Sequence, residues 1–110
     1  MTRRVVVTGS GVVSSLGVGR EIFLEGLREG RSGIGPIEMI PTEGLQTSFA
    51  AEARGFRGED YFNRSDITLF DRVTQMALVA AAEAMAQSGL ALSESQQLRA
   101  ATIVGTCMGG

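Results

Sequence analysis

The 110 residues have the length of one small domain, and 44% hydrophobic with 20% charged residues is the balance of a globular chain rather than a disordered one. Ten basic residues, all Arg and scattered, against twelve acidic ones give a net charge of −2 and no stripe that could track phosphates, which argues against a nucleic-acid binder. One Cys excludes an intrachain disulfide framework or a Cys-based metal cluster, and with no His the chain supplies neither a Ser-His or Cys-His pair nor the commonest metal ligand.

Arg3-Arg4 ahead of Val5–Val7 mimics the start of an export signal. Thr8-Gly9-Ser10-Gly11 interrupts the apolar run after three residues, well short of the ~7–15 a signal core needs. No stretch approaches the ~20 apolar residues of a membrane span. The expectation is a cytoplasmic, soluble protein.

Arg3 to Thr8 is a β-branched run ended by glycine, the pattern of a buried strand. Gly9 to Gly19 must turn sharply. Arg20 to Glu29 reads as a helix with Ile22, Phe23 and Leu27 on one side, stopped by Gly30. Ser32 to Pro36 is turn chemistry, and Ile37 to Gly58 reads as irregular around a short strand at Ser48 to Ala53. The longest regular segment is a helix from Asp71 to Ser88. Its polar members Thr74, Gln75, Glu83 and Gln87 gather on no single face, while alanines and Leu78, Val79 cover the circumference, so it is expected to lie buried in a larger body. Gly89 suits the left-handed cap, with Leu90 packing back on Met85. After a polar stretch at Ser93 to Arg99, Ala100 to Thr106 reads as a second buried strand. Two or three short strands cannot form a stable sheet alone. The chain, 1–110, is therefore expected to be the first part of a larger α/β domain.

Two motifs invite chemistry. Gly9-Ser10-Gly11 after a strand suggests a dinucleotide turn, but the third glycine of that fingerprint is Ser14 here. A tight strand-to-loop turn with close backbone packing is the favoured reading of these glycines. Gly105-Thr106-Cys107-Met108-Gly109 has the outline of a nucleophile elbow with a thiol. A reactive thiol needs a positive neighbour or a helix N-terminus, and no His is present, so Cys107 reads as an inert, small buried hydrophobe. Asp60, Asp66 and Asp71 around Arg64 and Arg72 read as a solvated or capping segment rather than an acid–base pair.

Four stretches in this order — Arg3 to Gly17, Leu27 to Ile34, Phe70 to Leu90 and Ile103 to Gly110 — resemble the N-terminal portion of the elongating β-ketoacyl-acyl-carrier-protein synthases. The resemblance implies a thiolase-like fold, layered αβαβα, α/β in class and incomplete in this chain, in a protein that is usually a homodimer. It implies acyl transfer to a Cys, decarboxylation of a malonyl unit carried on phosphopantetheine, and carbon–carbon bond formation in fatty-acid or polyketide elongation. Acyl carrier protein is the implied partner, with no bound cofactor and no metal. The family Cys and its two His lie beyond Gly110, so these residues supply no catalytic group, and Cys107 does not occupy the nucleophile's position. Met108 matches a place in the family's G-x-x-x-G-G turn beside the acyl pocket, which makes it the one substrate-binding candidate; core packing is its alternative reading. Arg64 and Arg72 flank a stretch where many relatives carry basic residues that meet the carrier protein; Ser65, Asp66, Thr68 and Leu69 stand there instead. A non-catalytic partner of the chain-length-factor kind is the alternative function, and a Rossmann-type cofactor binder a third.

Overall fold

The computed structural model describes residues 2–107 and 109. Val13–Ser14 (β1) and Gly17–Val18 (β2) form an antiparallel hairpin, with Val13 opposite Val18 and Ser14 opposite Gly17. Helix α1, Arg20–Arg28, follows at once. Ile34–Pro36 (β3) and Phe49–Ala51 (β4) form a second antiparallel pair, Gly35 opposite Ala50. A single 3-10 turn at Gly58–Asp60 leads to α2, Arg64–Leu69, then α3, Arg72–Ser88, and a short α4, Glu94–Gln97.

The helix boundaries follow from local chemistry. Asp71 caps α3 by accepting the Thr74 N–H at 2.8 Å, and Asn63 caps α2 by accepting the Asp66 N–H at 2.9 Å. Gly89 ends α3 in the left-handed region, φ 64°, as its lack of a Cβ allows. A capping box between Ser93 and Gln96 turns the expected polar stretch into α4. The turn chemistry at Ser32–Pro36 proves to include β3. Arg54 explains how that strand is held: its guanidinium bonds the Pro36 carbonyl and pairs with Glu38 and Glu52.

The two buried strands expected at the ends are not strands. Val5 and Val7 are 91% and 90% exposed, and Ile103 is 93% exposed. A strand exists only through a partner's ladder of N–H and C=O groups. Among the described residues, neither run is paired with any strand. Helix α3 is likewise covered on one side only. Met76, Val79, Ala80, Glu83 and Ala84 are half-buried, while Ala77, Leu78, Ala81, Ala82 and Met85 face open space.

Phe56 is the buried apolar side chain among the described residues. Its ring stacks on Tyr61 at 5.7 Å, and the Arg72 guanidinium lies 5.3 Å above it. The accessible surface is 8959 Å², against about 5800 Å² for a compact monomer of this mass. The radius of gyration is 17.1 Å, against about 13 Å for a closed domain of this length. These residues do not close a core of their own.

Candidate functional site

Helix α3 organises the chain, and the glycine-rich loop before α1 lies along it. A Cβ at Gly9 would overlap the Ala84 carbonyl, and one at Gly11 the Ala80 carbonyl. Loop backbone and helix backbone are thus in direct contact, four residues apart on one helical face. That contact is the reason for Gly9-x-Gly11, so the close-packing reading holds and the dinucleotide reading fails. The first helix after the glycines, α1, starts only at Arg20, beyond the β1–β2 hairpin.

Two side chains from the same face of α3 fix the loop. Gln87 accepts the Ser10 N–H at 2.6 Å. Glu83 accepts the Val12 N–H on Oε2 at 2.9 Å and the Arg20 N–H on Oε1 at 2.6 Å. Gly19 occupies the N-cap position of α1 and has no side chain to serve it, so Glu83 caps that helix from a distance of 63 residues in sequence. The Arg20 and Val12 N–H bonds hold the Glu83 carboxyl below the usual glutamate range. Sequence reasoning treated Glu83 and Gln87 as scattered polar positions. Their spacing of four was the available signal, but the partner is backbone, which carries no residue signature.

Asp66, Asp71 and Arg72 have structural roles. Asp71 is the α3 cap, as the capping reading expected. Arg72 donates to the carbonyls of Ala53 at 2.8 Å and Phe56 at 3.2 Å while lying over the Phe56 ring. Gln75, also on α3, donates to the Phe70 carbonyl at 2.8 Å and is buried. Arg64 is exposed on α2, beside Ser65, Thr68 and Leu69 in a shallow depression.

The C-terminal run returns to the first half of α3. Thr106 Oγ1 accepts the Gly109 N–H at 3.0 Å, and a Cβ on Gly109 would press against Val73. Val104, Thr106 and Gly109 with Val73, Ala77 and Leu78 enclose an apolar cleft of about 240 Å³. Met108, the substrate-binding candidate, lies outside the described residues. Cys107 is a free thiol that is exposed rather than buried as expected, because the run that carries it is exposed along residues 100–107. Among the described residues no group of three His, Cys, Asp or Glu side chains converges to hold a metal, and no helix is long and apolar enough to cross a membrane.

A second, larger cleft of about 530 Å³ lies on the other flank of α3, between Val18, Tyr61, Phe62, Leu78 and Ala82. It is apolar, and Glu83 at its edge has both oxygens committed to the loop. Among the described residues, neither cleft brings a nucleophile, a base and an oxyanion donor together.

Comparison with known proteins gives this arrangement a context. Residues 2–110 match the family model described as "Beta-ketoacyl synthase, N-terminal domain". Nodulation protein E of Rhizobium meliloti (strain 1021) is 37% identical over 110 residues, all of this chain and 27% of that protein. The 3-oxoacyl-[acyl-carrier-protein] synthase 2 of Vibrio cholerae serotype O1 is 36% identical over 108 residues, covering 98% of this chain and 26% of the relative. Among solved structures, the ishigamide ketosynthase/chain length factor superimposes with a TM-score of 0.68 at 38% identity, over 78% of this chain and 21% of its own. The chain thus spans about a quarter of the length of the relatives it matches. The α/β, thiolase-like fold class expected from sequence agrees with these likenesses.

Proposed function

This chain belongs to the β-ketoacyl synthase family, and we propose that it forms the N-terminal segment of a condensing enzyme, a β-ketoacyl-acyl-carrier-protein synthase. The match of residues 2–110 to the family's N-terminal domain is the observation that carries this reading. In the proposed reaction an acyl group passes from its carrier thioester to a Cys thiolate. Malonyl on the phosphopantetheine of acyl carrier protein then loses carbon dioxide, and the resulting carbanion attacks the acyl thioester. The Cys and two oxyanion-stabilising His belong to sequence beyond Gly110. The residues here contribute scaffold: α3 holds the loop that precedes α1 and lies beside Val104, Thr106 and Gly109. We assign Met108 to the wall of the acyl pocket, the protein to the cytoplasm, and its assembly to a homodimer.

A second reading rests on the structural neighbour, whose description pairs a ketosynthase with a chain length factor. In that case the chain begins a non-catalytic partner subunit. The full-length protein, given acyl- and malonyl-carrier substrates, separates the two. Release of carbon dioxide with formation of a β-ketoacyl product, abolished when the downstream Cys is replaced, supports the enzyme. A non-nucleophilic residue at that position, with turnover only after a ketosynthase subunit is added, assigns the partner role. No turnover in either arrangement overturns both.

A further inference from the structure

Glu83 joins three elements through a single carboxylate. It stands on α3, holds the loop at Val12 and holds the first turn of α1 at Arg20. Each oxygen faces one N–H donor. A carboxylate accepts strongly from both, whereas a protonated carboxyl accepts only weakly on its hydroxyl oxygen, which has lost its charge and become a donor. Gln87 holds Ser10 on the same helical face through an amide oxygen that does not titrate near neutral pH. The loop thus has one proton-sensitive attachment and one insensitive attachment, two residues apart.

We propose that Glu83 is an acid-sensitive clasp, closed when ionised, that couples the glycine loop and the start of α1 to α3. The charged surroundings fit a single titrating group. Among the described residues Arg20 is the one ionic side chain acting on Glu83, and its guanidinium pairs with Glu21. The loop and hairpin from Val12 to Gly19 carry no ionisable residue, and Tyr61 is the other titratable side chain lining the adjoining cleft. On α3 itself the positions one turn away, Val79 and Gln87, are uncharged. Because the folded state holds this carboxyl below its usual range, the clasp contributes fully above the unfolded value and is lost as pH falls through the folded one.

Amide-resolved hydrogen exchange on the full-length protein tests the clasp. Glu83→Gln keeps one acceptor and turns an NH₂ toward the other donor, imitating the protonated form at neutral pH. Protection at the Val12 and Arg20 amides should fall roughly tenfold in Glu83→Gln, the scale of one charge-assisted bond, while Ser10 keeps its protection. The unmodified protein should approach that pattern only as pH is lowered below the ordinary glutamate value of about 4.3, and the variant should not respond further. Val12 and Arg20 amides as protected in the variant as in the parent overturn the proposal, as does loosening of Ser10 in step with them. Should the variant fail to fold, the acid series on the parent decides alone: Val12 and Arg20 must loosen before Ser10.

Discussion

The glycine loop and the chain ends have similar claims to order in sequence, yet among the described residues only the loop is hydrogen-bonded to α3. Residues 9–20 are held by two α3 side chains and by backbone contact at Gly9 and Gly11. Residues 3–8 and 100–106, richer in β-branched residues, remain exposed. The difference lies in what each needs. The loop needs three acceptors and a flat helix surface, and α3 supplies both within this chain. A strand needs a neighbouring ladder for every second amide, and no side chain can substitute for it. Hydrophobic β-branched character tells where a strand belongs but not whether its partner is at hand.

The largest effect that would break this contrast is at Gly11. Gly11→Ala places a methyl inside the Ala80 carbonyl, and because both groups are backbone neither can swing aside. Overpacking of this kind costs about 1–3 kcal/mol or more. Gly55→Ala, with no neighbouring atom within 4 Å of the added carbon, should stay within ~0.5 kcal/mol. Urea unfolding of the full-length protein compares them. Equal midpoints would mean that the loop does not rest on α3.

A second measurement addresses the ends. The isolated 110-residue chain should melt without a sharp cooperative transition, because its surface exceeds that of a closed domain of its mass by about half. Amides of residues 3–8 and 100–106 should exchange at nearly unprotected rates, while the interior amides of α3 exchange more slowly. A cooperative melt of the dilute monomer would show that the ends find ladders within this chain.

What could be read from sequence follows the same division. Helix limits rest on adjacent residues: Asp71 and Gly89 bracket α3, and Gly30 follows α1 in the left-handed conformation, φ 66°. Glycine spacing signalled close packing but not the surface involved. The role of Glu83 stayed hidden because it acts on amides 63 and 71 positions away. β3 was missed because Gly35 and Pro36 look like turn residues, although Pro36 needs no N–H on an edge strand. The resemblance in four ordered stretches located the family, which no single motif here does. Met108, the one residue carried over from it, rests on that resemblance alone.

The smallest effect concerns the end of α3 that faces the C-terminal run. Asp71 accepts from Thr74, through its side chain and its N–H, and these bonds hold its carboxyl below the usual aspartate range. With a lowered folded value, the cap contributes above the unfolded pKa and is lost as pH falls through the folded one. Asp71→Asn retains a carbonyl that can accept the Thr74 N–H, and Asn is as good an N-cap as Asp. At neutral pH the variant should therefore match the parent in a urea melt of the full-length protein, and in acid its own cap should persist where the parent's weakens. Asp71→Ala should lose the cap at every pH. Because the Asp71 carboxyl is far along α3 from Glu83, neither Asp71 variant should alter protection at Val12 or Arg20. A change there would mean that α3 transmits strain along its length, and that the anchored loop and the unanchored C-terminal run are not independent.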